Sequence, residues 1–339
     1  MGTITNLHER LRSVPNRIAA EDEVLAVASA VLPAMVRWPV AEALGRSGLL
    51  AVSVPSDFGG LDVSNVVLAE AIALIATVSA RAAETLASHC AALEAIRNAG
   101  SEGQRGTAFA KSSGGERFLL ATGGGIAGWR AEARFLPDGM GVRVDGRVEV
   151  AAAIDAEWIA VPAADPSGQS ALLLVPHNAP GLDFSEAGDA GVSQLRLAGV
   201  HVAADSVLSL TSHAAPMVEG VYRLLRAAVI LGQSRRGLEA VLASIGSARD
   251  ATAASDHAIG WRQVEIETAY AQILRVAAVI DVAQVNPAAA TIAEAHRLAT
   301  ILGLVAQRMD TGRTATGEED TVIIALGRQM LADRGERAT

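Results

Sequence analysis

Residues Pro216–Arg249 read PMVEGVYRLLRAAVILGQSRRGLEAVLASIGSAR, and this stretch decides the fold. Val218, Val221, Leu225, Ala228 and Leu231 recur at helical spacing, and Leu238, Val241 and Ile245 extend the stripe. Such residues share one face, so the run predicts a long amphipathic helix. Two more stripes follow. Ile266, Ala269, Ile273, Val276, Ala277 and Ile280 predict a helix over Val264–Asp281. Ile292, Ala295, Leu298, Ala299, Leu302 and Val305 predict another over Ala288–Met309. Arg, Glu or Asp interrupts each apolar run well before the about 20 residues a membrane span needs, so the three read as a bundle.

Upstream of this bundle the texture differs. From Phe118, short β-type runs replace the stripes: Arg117–Ala121, Ala131–Leu136, Gly141–Val144, Arg147–Val150, Trp158–Val161, Ala171–Val175, Gly191–Leu197 and Gly199–Val202. Turn formers such as Pro137-Asp138-Gly139, Asp145-Gly146 and Asp165-Pro166-Ser167-Gly168 separate them. No helix is available for β-α-β crossovers, so an antiparallel barrel or sandwich is expected. Earlier still, helices are predicted over Asn6–Arg17, Ala19–Pro33, Val40–Gly45, Asn65–Ser79 (capped by Asp62 or Ser64) and Glu84–Asn98. Between them, Leu49–Pro55 reads as extended and Ser56–Gly60 as a turn. The chain thus divides into helical residues 1–117, a β segment 118–212 and helical residues 213–339.

The 339 residues suffice for two or three domains with real cores. Half are apolar, largely through Ala, which favours helix and close helix contact. A formal charge of -9, with no Lys/Arg cluster, argues against a nucleic-acid or anionic-membrane surface. Cys90 is the sole cysteine, so no intrachain disulfide can form. With no basic-then-apolar signal pattern at the N-terminus, the expected compartment is the cytoplasm.

Chemistry is harder to find. Gly123-Gly124-Gly125-Ile126-Ala127-Gly128 follows a strand-like run, yet neither a helix start nor a Lys-Ser/Thr pair comes after it, so a phosphate loop is disfavoured. The glycines fit either close approach to a cofactor or a plain loop. The seven histidines show no metal-ligand spacing; His89 and His257 are the active-site candidates among them. Cys90 reads as a small core residue on a helix. Glu265 and Glu267, and the Glu318-Glu319-Asp320 cluster, are the carboxylates to weigh as bases, against a solvated helix face or start. Arg235, Arg236 and Arg249 could meet an anion such as a pyrophosphate or simply face solvent.

Taken together these pieces resemble the acyl-CoA dehydrogenase family of flavoproteins, with an α domain, a middle β-barrel and a C-terminal four-helix bundle. Gly48-Leu49-Leu50 through Pro55-Ser56-Asp57-Phe58-Gly59-Gly60 resembles the family's "GLL…PEEYGG" stretch. Gly100-Ser101-Glu102-Gly103-Gln104 resembles "GTEEQ", Asp145-Gly146 through Val161 resembles "NGxKxWITN…AD…V", and Gly232–Leu238 resembles "GxAxGAL". The similarity runs from about residue 20 to about residue 310.

The resemblance implies an FAD-dependent oxidoreductase acting on an acyl-CoA or similar small substrate at the α–β bond. It also implies a homodimer or homotetramer, because family cofactor sites draw on two subunits. The flavin-binding positions it points to are Thr122, Gly125, Arg249 and Arg262. Several positions depart from the pattern. Thr122-Gly123-Gly124-Gly125 stands where the family has "TEPG", Val150 and Ala152 where it has Trp and Ser/Thr, and Arg262 where it has a glutamine. The closing segment carrying the base in many members is shortened, leaving Thr316 at that position beside Glu318 and Glu319. Three readings stand: a dehydrogenase, a flavin monooxygenase of the same superfamily, and a non-catalytic binding protein that has lost flavin. An unrelated helical ligand-binding protein with a β insert is a fourth.

Overall fold

The computed structural model describes residues 15–122, 132–151, 156–185, 192–211, 213–246 and 253–311. Among these, five helices come first: α1 (Glu23–Arg37), α2 (Val40–Ser47), α3 (Asn65–Ala76), α4 (Ala80–Ala99) and α5 (Glu102–Ser113). Eight strands follow: β1 (Phe118–Thr122), β2 (Ala133–Asp138), β3 (Gly141–Ala151), β4 (Trp158–Ala164), β5 (Ser170–Pro176), β6 (Leu182–Phe184), β7 (Val192–Ala203) and β8 (Val207–Ser209). Helices α6 (Ala214–Gly246), α7 (Ala253–Val285) and α8 (Ala289–Thr311) end the described chain.

Each of the three stripes is a helix. The middle one starts at Ala253 rather than Val264, since alanine ahead of its stripe favours helix. Side-chain caps set the earlier starts. The Ser64 hydroxyl, not Asp62, accepts from the Val67 N–H at 3.4 Å to open α3. Ser79 accepts from the Ala82 N–H at 3.2 Å, so α4 begins one turn before Glu84. Helix α5, which the pattern did not predict, opens with a capping box between Ser101 and Gln104. Gly103 and Gly106 lower its helix propensity and conceal it.

Leu49–Pro55 is not extended. It begins with a 3₁₀ turn over Leu49–Ala51, held by Ala51 N–H to the Gly48 carbonyl at 3.1 Å, and its apolar side chains are buried without strand partners. The turn after it folds back so closely that a Cβ on Gly60 would lie 2.0 Å from the Val54 carbonyl oxygen.

The sheet runs β6-β7-β3-β1-β4-β5-β8, with β2 paired to both β3 and β4. Both β1 and β2 are antiparallel to β3 and parallel to β4, so the sheet is mixed rather than wholly antiparallel. They lie end to end in one position: β1 pairs with Glu149 and Val150 of β3, β2 with Gly141 to Asp145. The register of β3 against β7 shifts between Val144 and Gly146, opposite the break in that line. Asp145-Gly146 is therefore a bulge within one strand and not a turn. Gly199 likewise sits inside β7, so the two runs read there form one strand.

Helices from both ends of the chain share one core, in which Ile72 and Ile75 of α3 join Leu224, Ala228 and Leu231 of α6. A Cβ on Gly232 would lie 2.1 Å from the Ala73 carbonyl oxygen, so glycine is what lets α6 approach α3 this closely. Helix α8 is apolar over a membrane-length span, but Ile292, Ala295, Ala299 and Leu302 bury its face in this core. The strands have a core of their own, including Leu119, Val144, Val150, Ile159 and Leu173.

Candidate functional site

The break between β1 and β2 leaves Thr122 at the end of a central strand. Its cross-strand partner is Glu149. Helix α6 passes here, and the side chains of Tyr222 and Thr122 lie next to one another. Burial pushes the Tyr222 phenol up from its ordinary pKa, so it stays protonated at neutral pH. One helical turn on, Arg226 is ion-paired with Glu84 of α4. Burial opposes the charge of Arg226, but Glu84, Tyr222 and Asp310 (the last near the end of α8) together hold the guanidinium above its ordinary value. Residues of α4, α6, α8, β1 and β3 thus converge on one junction between strands and helices.

This arrangement offers chemistry. Each of the two hydroxyls carries an O–H that can donate. The Glu84 and Arg226 side chains are 17% and 36% exposed, so the junction reaches solvent.

Of the four flavin-binding positions expected from the resemblance, Thr122 lies in this junction. Gly125 and Arg249 fall outside the described residues. Arg262 does not join Thr122. It donates to Glu265 and the Met309 carbonyl, both at 3.1 Å, and to the Ser234 hydroxyl at 3.0 Å, tying α7 to α6 and α8. Val150 is fully buried in the strand core, and Ala152 is outside the described residues.

The other candidates resolve as structural. His89 is fully buried: Nδ1 accepts from the Phe118 N–H at 3.0 Å, while Nε2 lies 2.9 Å from the Leu50 carbonyl. Those partners require the neutral tautomer protonated on Nε2, and burial lowers its pKa to about 4. Cys90 is buried, and that burial pushes its thiol up to about 12, far from a nucleophile's range. Glu265 pairs with Arg262, and Glu267 accepts from Gln263 at 2.8 Å. Arg235 stacks over Tyr270 at 4.9 Å, and Arg236 donates to the Val78 carbonyl. The side chain of His257, Thr316 and the 318–320 cluster lie outside the described residues.

Tyr222, Arg226 and Glu84 went unread in the sequence. A signal existed: Tyr222 and Arg226 are four apart and so share one face of the helix.

Comparison with known proteins adds three findings. Residues 5–116 match the model of the acyl-CoA dehydrogenase N-terminal domain. No curated protein matches. Among solved structures, methanesulfinate monooxygenase MsuC from Pseudomonas fluorescens superposes with a TM-score of 0.71 at 18% identity, over 86% of this chain and 84% of its own. The FMN and indole complex of TdsC from Paenibacillus sp. A11-2, titled a dibenzothiophene monooxygenase in a companion structure, gives 0.69 at 20%, over 85% and 83%. A variant of the Tcur3481-Tcur3483 steroid ACAD gives 0.63 at 22%, over 86% and 87%. At these identities the structures establish a shared fold. Residues 5–116 thus match an acyl-CoA dehydrogenase N-terminal domain, and the chain as a whole shares the fold of these structures.

Proposed function

We propose that this chain is a flavin-dependent oxidoreductase working at the junction of Thr122, Tyr222 and Arg226. The observation that carries the reading is the Tyr222–Thr122 hydroxyl pair beside the Arg226 guanidinium, set at a break in the central strand line. A flavin ring edge presents carbonyl and nitrogen acceptors, and this set supplies hydroxyl O–H and guanidinium N–H donors, so the residues fit it. Thr122, Tyr222 and Arg226 would hold the ring; FAD is the form the resemblance implies. Bound there, a flavin would supply two-electron redox chemistry.

The chain's own groups do the rest. Tyr222 keeps its proton and can donate it, and Arg226 stabilises negative charge developing next to it. Removing an α-proton from a thioester needs a carboxylate base at the substrate. At this junction the Glu84 carboxylate is occupied by Arg226. MsuC and TdsC, monooxygenases that share the fold, favour oxygen-dependent monooxygenation over acyl-CoA dehydrogenation. Val241, Leu242, Trp261 and Val264, exposed on α6 and α7, support self-association through this helix pair.

A second reading, a fold retained without flavin, is favoured by Arg262 and Val150, which satisfy themselves inside the subunit. Absorbance of the purified protein in the flavin bands, and its melting temperature with FAD or FMN added, separate the two. Bound flavin stabilises the native state and raises the melting point. A colourless protein unmoved by either flavin means the enzyme reading is wrong.

A further inference from the structure

A second cavity lies away from that junction, along α5. It has a volume of about 550 Å³, within the range of small-molecule sites. Its floor is apolar, with Phe118 and Leu174 both buried and Trp158 stacked on Phe118 at 6.1 Å. At one end the Lys111 ammonium sits 3.6 Å from the centroid of the Trp158 ring. No ion pair of Lys111 is found among the described residues; its ammonium lies on the Trp158 face, while the indole N–H at the ring edge donates to Glu116 at 2.7 Å. Asp205 lines the same cavity. Gly103, on the α5 wall, has no atom within 4 Å of a built Cβ, so nothing fills the space in front of it.

We propose that this cavity binds a small organic monoanion, its apolar body on Phe118 and Leu174 and its single carboxylate or sulfonate head on Lys111. Each part of that description has a cause. An organic cation would be repelled by Lys111, which already covers the Trp158 face. A dianion would bring a second charge into a cavity that Asp205 also lines. A wholly apolar ligand would leave the lysine unpaired next to it. A monoanion satisfies both the floor and the ammonium. The site is independent of the flavin reading, since it shares no residue with Thr122, Tyr222 or Arg226.

The test uses 8-anilinonaphthalene-1-sulfonate, an aromatic monoanion whose emission rises on burial, against the full chain and two variants. Gly103→Leu fills the open space and adds helix propensity, so it folds; Lys111→Gln removes only the charge. Melting curves check both. The wild type should show a saturable component that Gly103→Leu abolishes and Lys111→Gln weakens about ten-fold, the loss of one charge-assisted contact. The neutral analogue N-phenyl-1-naphthylamine should bind wild type and Lys111→Gln alike. Superimposable sulfonate titrations for all three proteins would overturn the proposal, as would equal loss of both probes in Lys111→Gln.

Discussion

The two ends of β1, four residues apart, meet the helices in opposite ways. At its start, α4 takes up the strand's outward N–H groups with side chains: His89 accepts from Phe118 and Ser88 from Leu120, both at 3.0 Å. Ser112 joins by donating to the Leu50 carbonyl at 2.7 Å. Donors and acceptors match, and titration is suppressed. At its end, Thr122 meets Tyr222 and a charged pair that reaches solvent. A closed polar cluster holds elements together; an open one with donors to offer can hold a ligand. Identical chemistry, hydroxyls and ring groups against a strand, serves structure in one place and supports function in the other.

The comparison can be broken most directly at the closed end. His89→Ala leaves the Phe118 N–H and the Leu50 carbonyl without their partner and opens a cavity, so denaturant unfolding should show a loss of about 4 kcal/mol. A loss below about 1 kcal/mol would mean that the cluster does not join α4 to β1.

Next comes pH. The native His89 pKa of about 4 lies below the unfolded value of about 6.5. Between these values the unfolded chain binds the extra proton, so stability rises with pH across this window and is fully present above it. On lowering pH from 7 to 4 His89 accounts for about 3 kcal/mol of lost stability. His89→Gln should flatten the profile between pH 4 and 6.5; an unchanged slope refutes the assignment.

A smaller effect is expected at Gly232, which belongs to neither end but fixes how α6, and so Tyr222, lies on α3. Gly232→Ala forces the helices apart against its own helix-propensity gain, for a net cost of about 2 kcal/mol by thermal or chemical melting. No change would show that the contact relaxes freely.

The least stability is at stake at the open end. Tyr222→Phe removes one hydroxyl from a site that has other donors, so it should cost about 1 kcal/mol or less. Flavin affinity, by contrast, should fall about ten-fold. That split, stability kept and binding lost, is the mirror of His89→Ala.

How much of this was readable depends on the kind of pattern. The stripes of α6, α7 and α8 were plain because a 3.6-residue period needs only local sequence. Positions of β1, β3, β4 and β5 were also plain, from runs and turns. Their pairing was not: that β1 and β2 share one line depends on contacts with β3 and β4, which no local pattern encodes. Asp145-Gly146 looked like a turn because the same dipeptide suits turns and bulges. At the junction, only Thr122 was singled out by a motif. Tyr222, Arg226 and Glu84 were not, since Glu84 lies 142 residues from its partner and only folding brings them together. For Arg262, position in a motif does not reveal that its donors also reach Ser234 and the Met309 carbonyl.

The account stands on the open end of β1 holding a flavin, and titrating FAD and FMN into wild type and Tyr222→Phe, read by quenching of flavin emission, tests it most directly. Saturable binding by the wild type, weakened about ten-fold in a Tyr222→Phe protein that melts normally, is the predicted result. Flavin that stays free in both proteins, or binds both alike, contradicts it.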